Sequence, residues 1–223
     1  MNYDVAIFKD LIQSFPTWSL LRIHLEQMHL RIIDCSDTYF IIRYEKGATS
    51  AANTSWFRSV VWDGLTNRPV CIAPPRASGD ADTDLSSNQG LRYEEFLEGV
   101  MINMFIDRTG AVRYATRSRL DATGTFYSSR SFLELLMDAL GSVDPKSLLG
   151  TDSFGSLLLQ HPEHRIVSHI ARPAVHVIHT GSIDASGSVH FTEHVPSVVA
   201  DQPLNLWFKH LAETKGWQWQ GLV

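Results

Sequence analysis

The sequence predicts an α+β fold in which antiparallel sheets carry helices on their outer sides. Three observations lead there. Short runs of alternating apolar and polar residues come in pairs, each pair joined by a turn signal, which is the pattern of β-hairpins. Helical spacing of apolar residues is confined to the first thirty positions, residues 132–140 and residues 203–214. Strands run in series instead of alternating one-for-one with helices, which favours antiparallel pairing over a parallel sheet.

Taken in order, residues 1–30 read as a helical N-terminal extension. Val5, Phe8, Leu11 and Ile12 make one apolar stripe, stopped near Ser14, Phe15 and Pro16. A second stretch, 18–28, carries Leu20, Leu21, Ile23, Leu25 and Met28. Residues 30–33 and 39–43 are a strand pair around a turn at 34–37. The polar stretch 45–55 is a loop, and its Lys46 reads as an exposed loop lysine. Residues 57–62 and 69–73 form the next pair across a turn at 63–68. The run 78–90, rich in Ser, Gly, Asp and Asn, reads as a surface loop inside one domain and not as a boundary.

The most patterned stretch follows. Met101, Asn103, Phe105 and Asp107 alternate with Ile102, Met104 and Ile106, and a turn at 107–110 leads into a second strand at 112–118. After a loop, Ser129 or Ser131 caps a helix with Phe132, Leu135, Leu136, Ala139 and Leu140 on one face, ended by Gly141. A linker begins at Asp144-Pro145 and reaches about Asp152. Strands are expected at 154–159, 174–180 and 188–191, the last two joined by a turn at 184–187. A helix at 203–214 and the start of one more strand at 217–223 complete the chain.

Composition sets bounds on function. With 223 residues, 44% of them hydrophobic, the chain is long enough for one large domain. A net charge of −5 provides no global field to recruit nucleic acid, so such contacts need a local patch. Arg108, Arg113, Arg117, Arg119 and Arg130, interrupted by the single acid Asp121, are the candidate patch. Cys35 and Cys71 do not make a disulfide framework, and there is no secretory signal and no apolar run of membrane length. An intracellular, cytoplasmic protein with no membrane partner and no disulfide-linked partner is expected. Seven of the ten histidines fall between His161 and His194, yet none stands at zinc-site spacing, so no metal ligand set is assigned to them.

Glu98 and Gly99 stand at the mouth of the first central strand, and Arg113, Arg117 and Arg119 return on or just after the second. A carboxylate and several guanidiniums at one end of a hairpin suit a phosphate-bearing ligand. At these residues the chain resembles a family. The segment Leu97-Glu98-Gly99-Val100-Met101-Ile102-Asn103-Met104-Phe105-Ile106-Asp107, followed by Tyr114-Ala115-Thr116-Arg117-Ser118, is similar to the nucleotide-binding core of phage-type RNA ligases and of their relatives in large DNA viruses. Upstream, Arg58-Ser59-Val60-Val61-Trp62-Asp63 is similar to the segment that precedes the ligase nucleophile. Downstream, Pro162-Glu163-His164-Arg165-Ile166-Val167 is similar to a later strand of the same enzymes.

The resemblance implies a nucleotidyltransferase fold, with antiparallel sheets forming a cleft, over a single domain 1–223 that stops short at its C-terminus. It implies ATP and Mg²⁺ as cofactors and nucleotide and RNA ends as ligands, the RNA being joined through an adenylate. It places Arg58, Glu98, Gly99, Arg117 and Arg165 near the nucleotide and its phosphates. The sequence departs from the family at two positions that carry its chemistry. The lysine that becomes adenylated corresponds to Phe96, which has no lone pair to attack phosphorus. A glutamate that helps hold nucleotide and metal corresponds to Leu158, which offers magnesium no oxygen. The catalytic residues are therefore unassigned. Two further readings stand beside the ligase: a catalytically silent nucleotide- or RNA-binding module on the same fold, and an unrelated globular interaction domain.

Overall fold

A computed structural model describes residues 2–36, 38–45, 54–75, 92–94, 97–164, 167, 169–194 and 197–199. Its elements are β1 (Asn2–Val5), α1 (Ile7–Ser14), α2 (Trp18–Gln27), β2 (Leu30–Asp34), β3 (Tyr39–Tyr44), β4 (Val60–Asp63), β5 (Arg68–Ile72), β6 (Arg92–Glu94), β7 (Val100–Ile106), β8 (Val112–Ala115), α3 (Phe132–Leu140), β9 (Phe154–Gln160), β10 (Ala174–Ile183), β11 (Val189–Glu193) and β12 (Ser197–Val199). The class is α+β, with antiparallel sheets and few helices, as the sequence predicts. Two compact units divide the chain. Residues 77–96 and 195–223 form one, whose described part is the antiparallel pair β6–β12. The expected loop at 78–90, helix at 203–214 and final strand lie outside the described residues.

The other unit, residues 1–76 and 97–194, holds two sheets. The larger has the order β1-β11-β10-β9-β7-β8, and the smaller is the meander β2-β3-β4-β5. Strand alternation decides how they pack. In β7 and β9, Asn103 pairs with Ser156 and Phe105 with Phe154 on one face, while Ile102 pairs with Leu157 and Met104 with Gly155 on the other. The Phe105–Phe154 face meets the small sheet: the Tyr39 ring packs edge-on against Phe105 at 5.7 Å, and the Cys71 thiol donates to the Met104 carbonyl at 3.6 Å. The Ile102–Leu157 face is covered by α3 through Leu135, Leu136 and Leu140. On the far side of the small sheet, Trp18 of α2 stacks on Phe40 at 4.3 Å, and Phe8 of α1 meets Phe57. Each helix thus buries its apolar stripe on a sheet, and the bulk of the stabilising apolar burial lies in these two cores.

Helix α3 forms where the sequence places it. Ser131 Oγ accepts from the Glu134 amide at 3.2 Å while Glu134 Oε2 accepts from the Ser131 amide at 2.6 Å, and Gly141 ends the helix at a positive φ of 58°. Several boundaries differ from expectation. Val5 belongs to β1 and pairs with Val189, so the first thirty residues are not wholly helical. Phe57 and Arg58 precede β4, because Phe57 closes a 3₁₀ turn by donating to the Thr54 carbonyl. β8 stops at Ala115, where Thr116 donates to the Arg119 carbonyl and turns the chain. The expected linker after Asp144 contains a 3₁₀ helix at Pro145–Leu149, with proline at its start.

Between the sheets runs a buried polar chain. His179 Nε2 lies 3.0 Å from the Ile72 carbonyl and 3.3 Å from Ser156 Oγ, and Ser156 donates to Asn103 Oδ1 at 2.7 Å. A carbonyl only accepts, so Nε2 carries the proton of the neutral ring. Burial holds the His179 pKa down at about 4. The unfolded chain therefore takes up a proton near pH 6.5 that the folded chain refuses until about pH 4. Stability is expected to fall as pH drops across that window, by on the order of 3 kcal/mol from this residue. Denaturant unfolding at pH 7 and pH 4.5 checks it, and His179→Gln should flatten the difference.

Candidate functional site

Arg117 is the residue around which the candidate site assembles. It stands two residues beyond Ala115, in the turn that ends β8. Because β8 is an edge strand ended by a turn, the long side chain is free to cross. Its Nη2 donates to the Tyr44 carbonyl at 3.1 Å and its Nε to the Arg58 carbonyl at 3.4 Å, and the guanidinium carbon lies 5.0 Å from the Tyr44 ring centre. The Tyr44 amide in turn donates to the Phe57 carbonyl at 2.7 Å. The Arg117 side chain is thereby held against the backbone of Arg58, 59 positions earlier in the sequence.

Glu98 and Gly99 stand at the end of the large sheet where β7 begins and β9 ends. The Glu98 carbonyl accepts from Gln160 Nε2 at 2.9 Å, and its carboxylate Oε1 accepts from the Val167 amide at 2.7 Å. Gly99 is required by contact: a Cβ there would lie 2.5 Å from the Leu159 carbonyl oxygen and 3.0 Å from Leu158 Cγ. Leu158 itself is buried, and its hydrocarbon side chain gives this end of β9 no metal ligand. Phe96, Arg165 and Lys46 lie outside the described residues.

The arginine patch expected from the sequence is largely neutralised. Arg108 meets Asp63 at 3.0 Å, Arg113 meets Asp121 at 3.5 Å, and Arg130 meets both Asp138 at 2.8 Å and Glu163 at 3.0 Å. Those charges are used inside the protein, which leaves Arg117 and Arg119 of the five without a carboxylate among the described residues. Sequence reasoning missed Arg43. It shares the inward alternation of Tyr39 and Ile41 on β3, and a charged residue on an otherwise apolar inward set was the available signal. Burial and the nearby Arg117 charge lower its pKa.

The histidines do not converge. His161 contacts Asp138, His164 the Phe126 carbonyl, His176 Gln160, His190 Asp4, and His194 Thr180. Each ring ties a different pair of segments together, and among the described residues no group of three or more His, Cys, Asp or Glu side chains is placed to hold a metal ion. The Ser156–His179 contact is not a nucleophile and its base. His179 Nε2 carries its proton for the Ile72 carbonyl and so has no lone pair for Ser156, whose hydroxyl donates to Asn103 Oδ1 instead. Both cysteines are free thiols, and no helix among the described residues is long and apolar enough to cross a membrane. Compared with protein-family models and with curated proteins, the chain matches none.

Proposed function

We propose that this chain is an RNA ligase-like nucleotidyltransferase module that binds nucleotide and RNA ends through arginine contacts and does not adenylate itself. The observation that carries the reading is the hydrogen bond from Arg117 to the Arg58 carbonyl. It joins two segments that the family resemblance independently assigns to phosphate binding. Guanidiniums suit that task because their planar fork donates two hydrogen bonds to one phosphate. The substitutions at Phe96 and Leu158 remove the nucleophile and one oxygen ligand, so the adenylate step has no group to begin on. ATP, where it binds, brings its own magnesium on the phosphates.

A second reading has its own support. Glu98 Oε1 accepts from the Val167 amide, which is what a purely structural carboxylate does, and it favours a globular interaction domain with no nucleotide ligand. The two separate in one experiment. The protein is incubated with magnesium and α-labelled ATP, and separately titrated with ATP and with 5′-phosphorylated RNA. The expected outcome is no acid-labile covalent label, together with saturable binding that weakens steeply in salt. Label on a lysine overturns the silent module in favour of an active ligase, and absence of binding to either ligand favours the interaction domain.

A further inference from the structure

We propose that His190, set between Asp4 of β1 and Asp184 of the β10–β11 turn, is a proton-controlled latch that fastens the edge strand β1 to the large sheet. His190 Nδ1 lies 2.7 Å from Asp4 Oδ1, and Nε2 faces Asp184 Oδ2 at 3.7 Å. A ring with both nitrogens protonated serves both carboxylates, whereas the neutral ring has one N–H and serves only one. β1 depends on such a contact more than an inner strand would. It has four residues and pairs with β11 alone. Strand alternation sends Val5 into the core and leaves Asp4 exposed, directly across the ladder from His190. Among its described side chains, Val5 supplies the apolar hold and Asp4 the ionic one.

The chain builds this carboxylate turn twice and follows it with two kinds of cation. Ile106-Asp107-Arg108-Thr109-Gly110-Ala111-Val112-Arg113 and Ile183-Asp184-Ala185-Ser186-Gly187-Ser188-Val189-His190 share one pattern. In each, the aspartate Oδ1 accepts from the amide and hydroxyl of the Thr109 or Ser186 position and from the amide of the Ala111 or Ser188 position. The glycines take φ values of 84° and 89°, and isoleucine pairs with valine in both hairpins. The Ser186 hydroxyl, with the turn amides, holds the Asp184 pKa down at about 2, so this carboxylate stays charged. Where the first hairpin has Arg113, charged at every working pH, the second has His190, which titrates. Asp4, and then Asp184, raise the His190 pKa above its ordinary 6.5. The other charged residues packed around the turn are Arg68 of β5, which donates to the Asp184 carbonyl at 3.4 Å, and Lys9 of α1, whose backbone lies against Gly187. The sign follows. The latch is fully closed below about pH 6.5 and opens as pH rises through the raised His190 value, when the ring loses its proton and both carboxylates keep their charge. Opening loosens β1 and uncovers the outer edge of β11.

The test is amide hydrogen exchange on the whole chain at about pH 5.5 and about pH 8.5, with rates corrected for the intrinsic pH dependence of exchange. In the wild type, protection of residues 2–5 is expected to fall roughly three- to fivefold between the two, the scale of an exposed ion pair, while the β7–β8 hairpin keeps its protection. His190→Arg, which copies the fixed cation of the first hairpin, should give the closed level of protection at both pH values. His190→Gln should give the open level at both. Asp4→Asn should likewise remove the pH dependence and lower the His190 pKa read from its ring proton resonances. Protection of residues 2–5 that does not change with pH in the wild type overturns the inference. So does a pH-dependent loss that His190→Gln retains, or one that the β7–β8 hairpin shares, since either would mark a general loosening of the sheet.

Discussion

Arg108→Ala is expected to cost the folded state about 2 to 4 kcal/mol, more than any other surface arginine. Its partner, Asp63, has a side chain with no solvent exposure, and the pair meets at 3.0 Å across the gap between the sheets. Truncating the arginine leaves a buried carboxylate whose remaining contact is the Leu65 amide on Oδ1 at 3.0 Å. An uncompensated buried charge is what makes such variants severe. The reverse change should be milder. Asp63→Asn keeps an acceptor for Leu65 and leaves Arg108, whose side chain is 46% exposed, to be solvated by water. About 1 kcal/mol is expected there. Combining the two changes should cost less than their sum. Denaturant unfolding of the two single variants and the double variant measures this asymmetry directly.

If the proposed function holds, Arg117→Ala is expected to weaken binding of 5′-phosphorylated RNA by roughly 30- to 100-fold, since the guanidinium proposed to contact the ligand also holds the Arg58 segment. A smaller loss of stability, about 1 to 2 kcal/mol, follows from the Tyr44 and Arg58 carbonyls losing their donor. Arg117→Lys separates the two effects. It keeps the charge, but one ammonium cannot reach both carbonyls and a ligand as a planar fork does. Affinity should therefore fall by about tenfold, and calorimetric titration of the three proteins checks the order.

Much of the fold was legible because its signals are local. The alternation from Met101 to Asp107, the Ser131–Glu134 capping pair and Gly141 each act within a few residues, and the structure has β7 and α3 where they point. Boundaries failed where a longer-range partner decided the outcome. Val5 fits the stripe of α1, yet it is drawn into β1 by Val189, which no local pattern discloses. The site divided along the same line. Arg58 and Arg117 could be named from their motifs, and the structure adds a hydrogen bond from the Arg117 side chain to the Arg58 carbonyl. The other arginines could not be sorted by sequence, because Asp63, which neutralises Arg108, and Glu163, which joins Asp138 in neutralising Arg130, are distant in the chain. Arg43 went unnoticed because a strand arginine looks like a solvated face, and only the structure shows that its Nε is buried. The buried chain through Ser156 and His179 was hidden for the same reason: its partners lie on different strands and, for the Ile72 carbonyl, on a different sheet.

The most direct measurement is nuclear magnetic resonance of the arginine side-chain Nε–H groups, assigned by substitution, while inorganic pyrophosphate is added to the ¹⁵N-labelled protein. Signals from Arg58 and Arg117 are expected to shift along one saturation curve, while those of the ion-paired Arg108 and Arg130 stay in place. Independent curves for the two, or a response confined to the exposed Arg119, would contradict the proposed function.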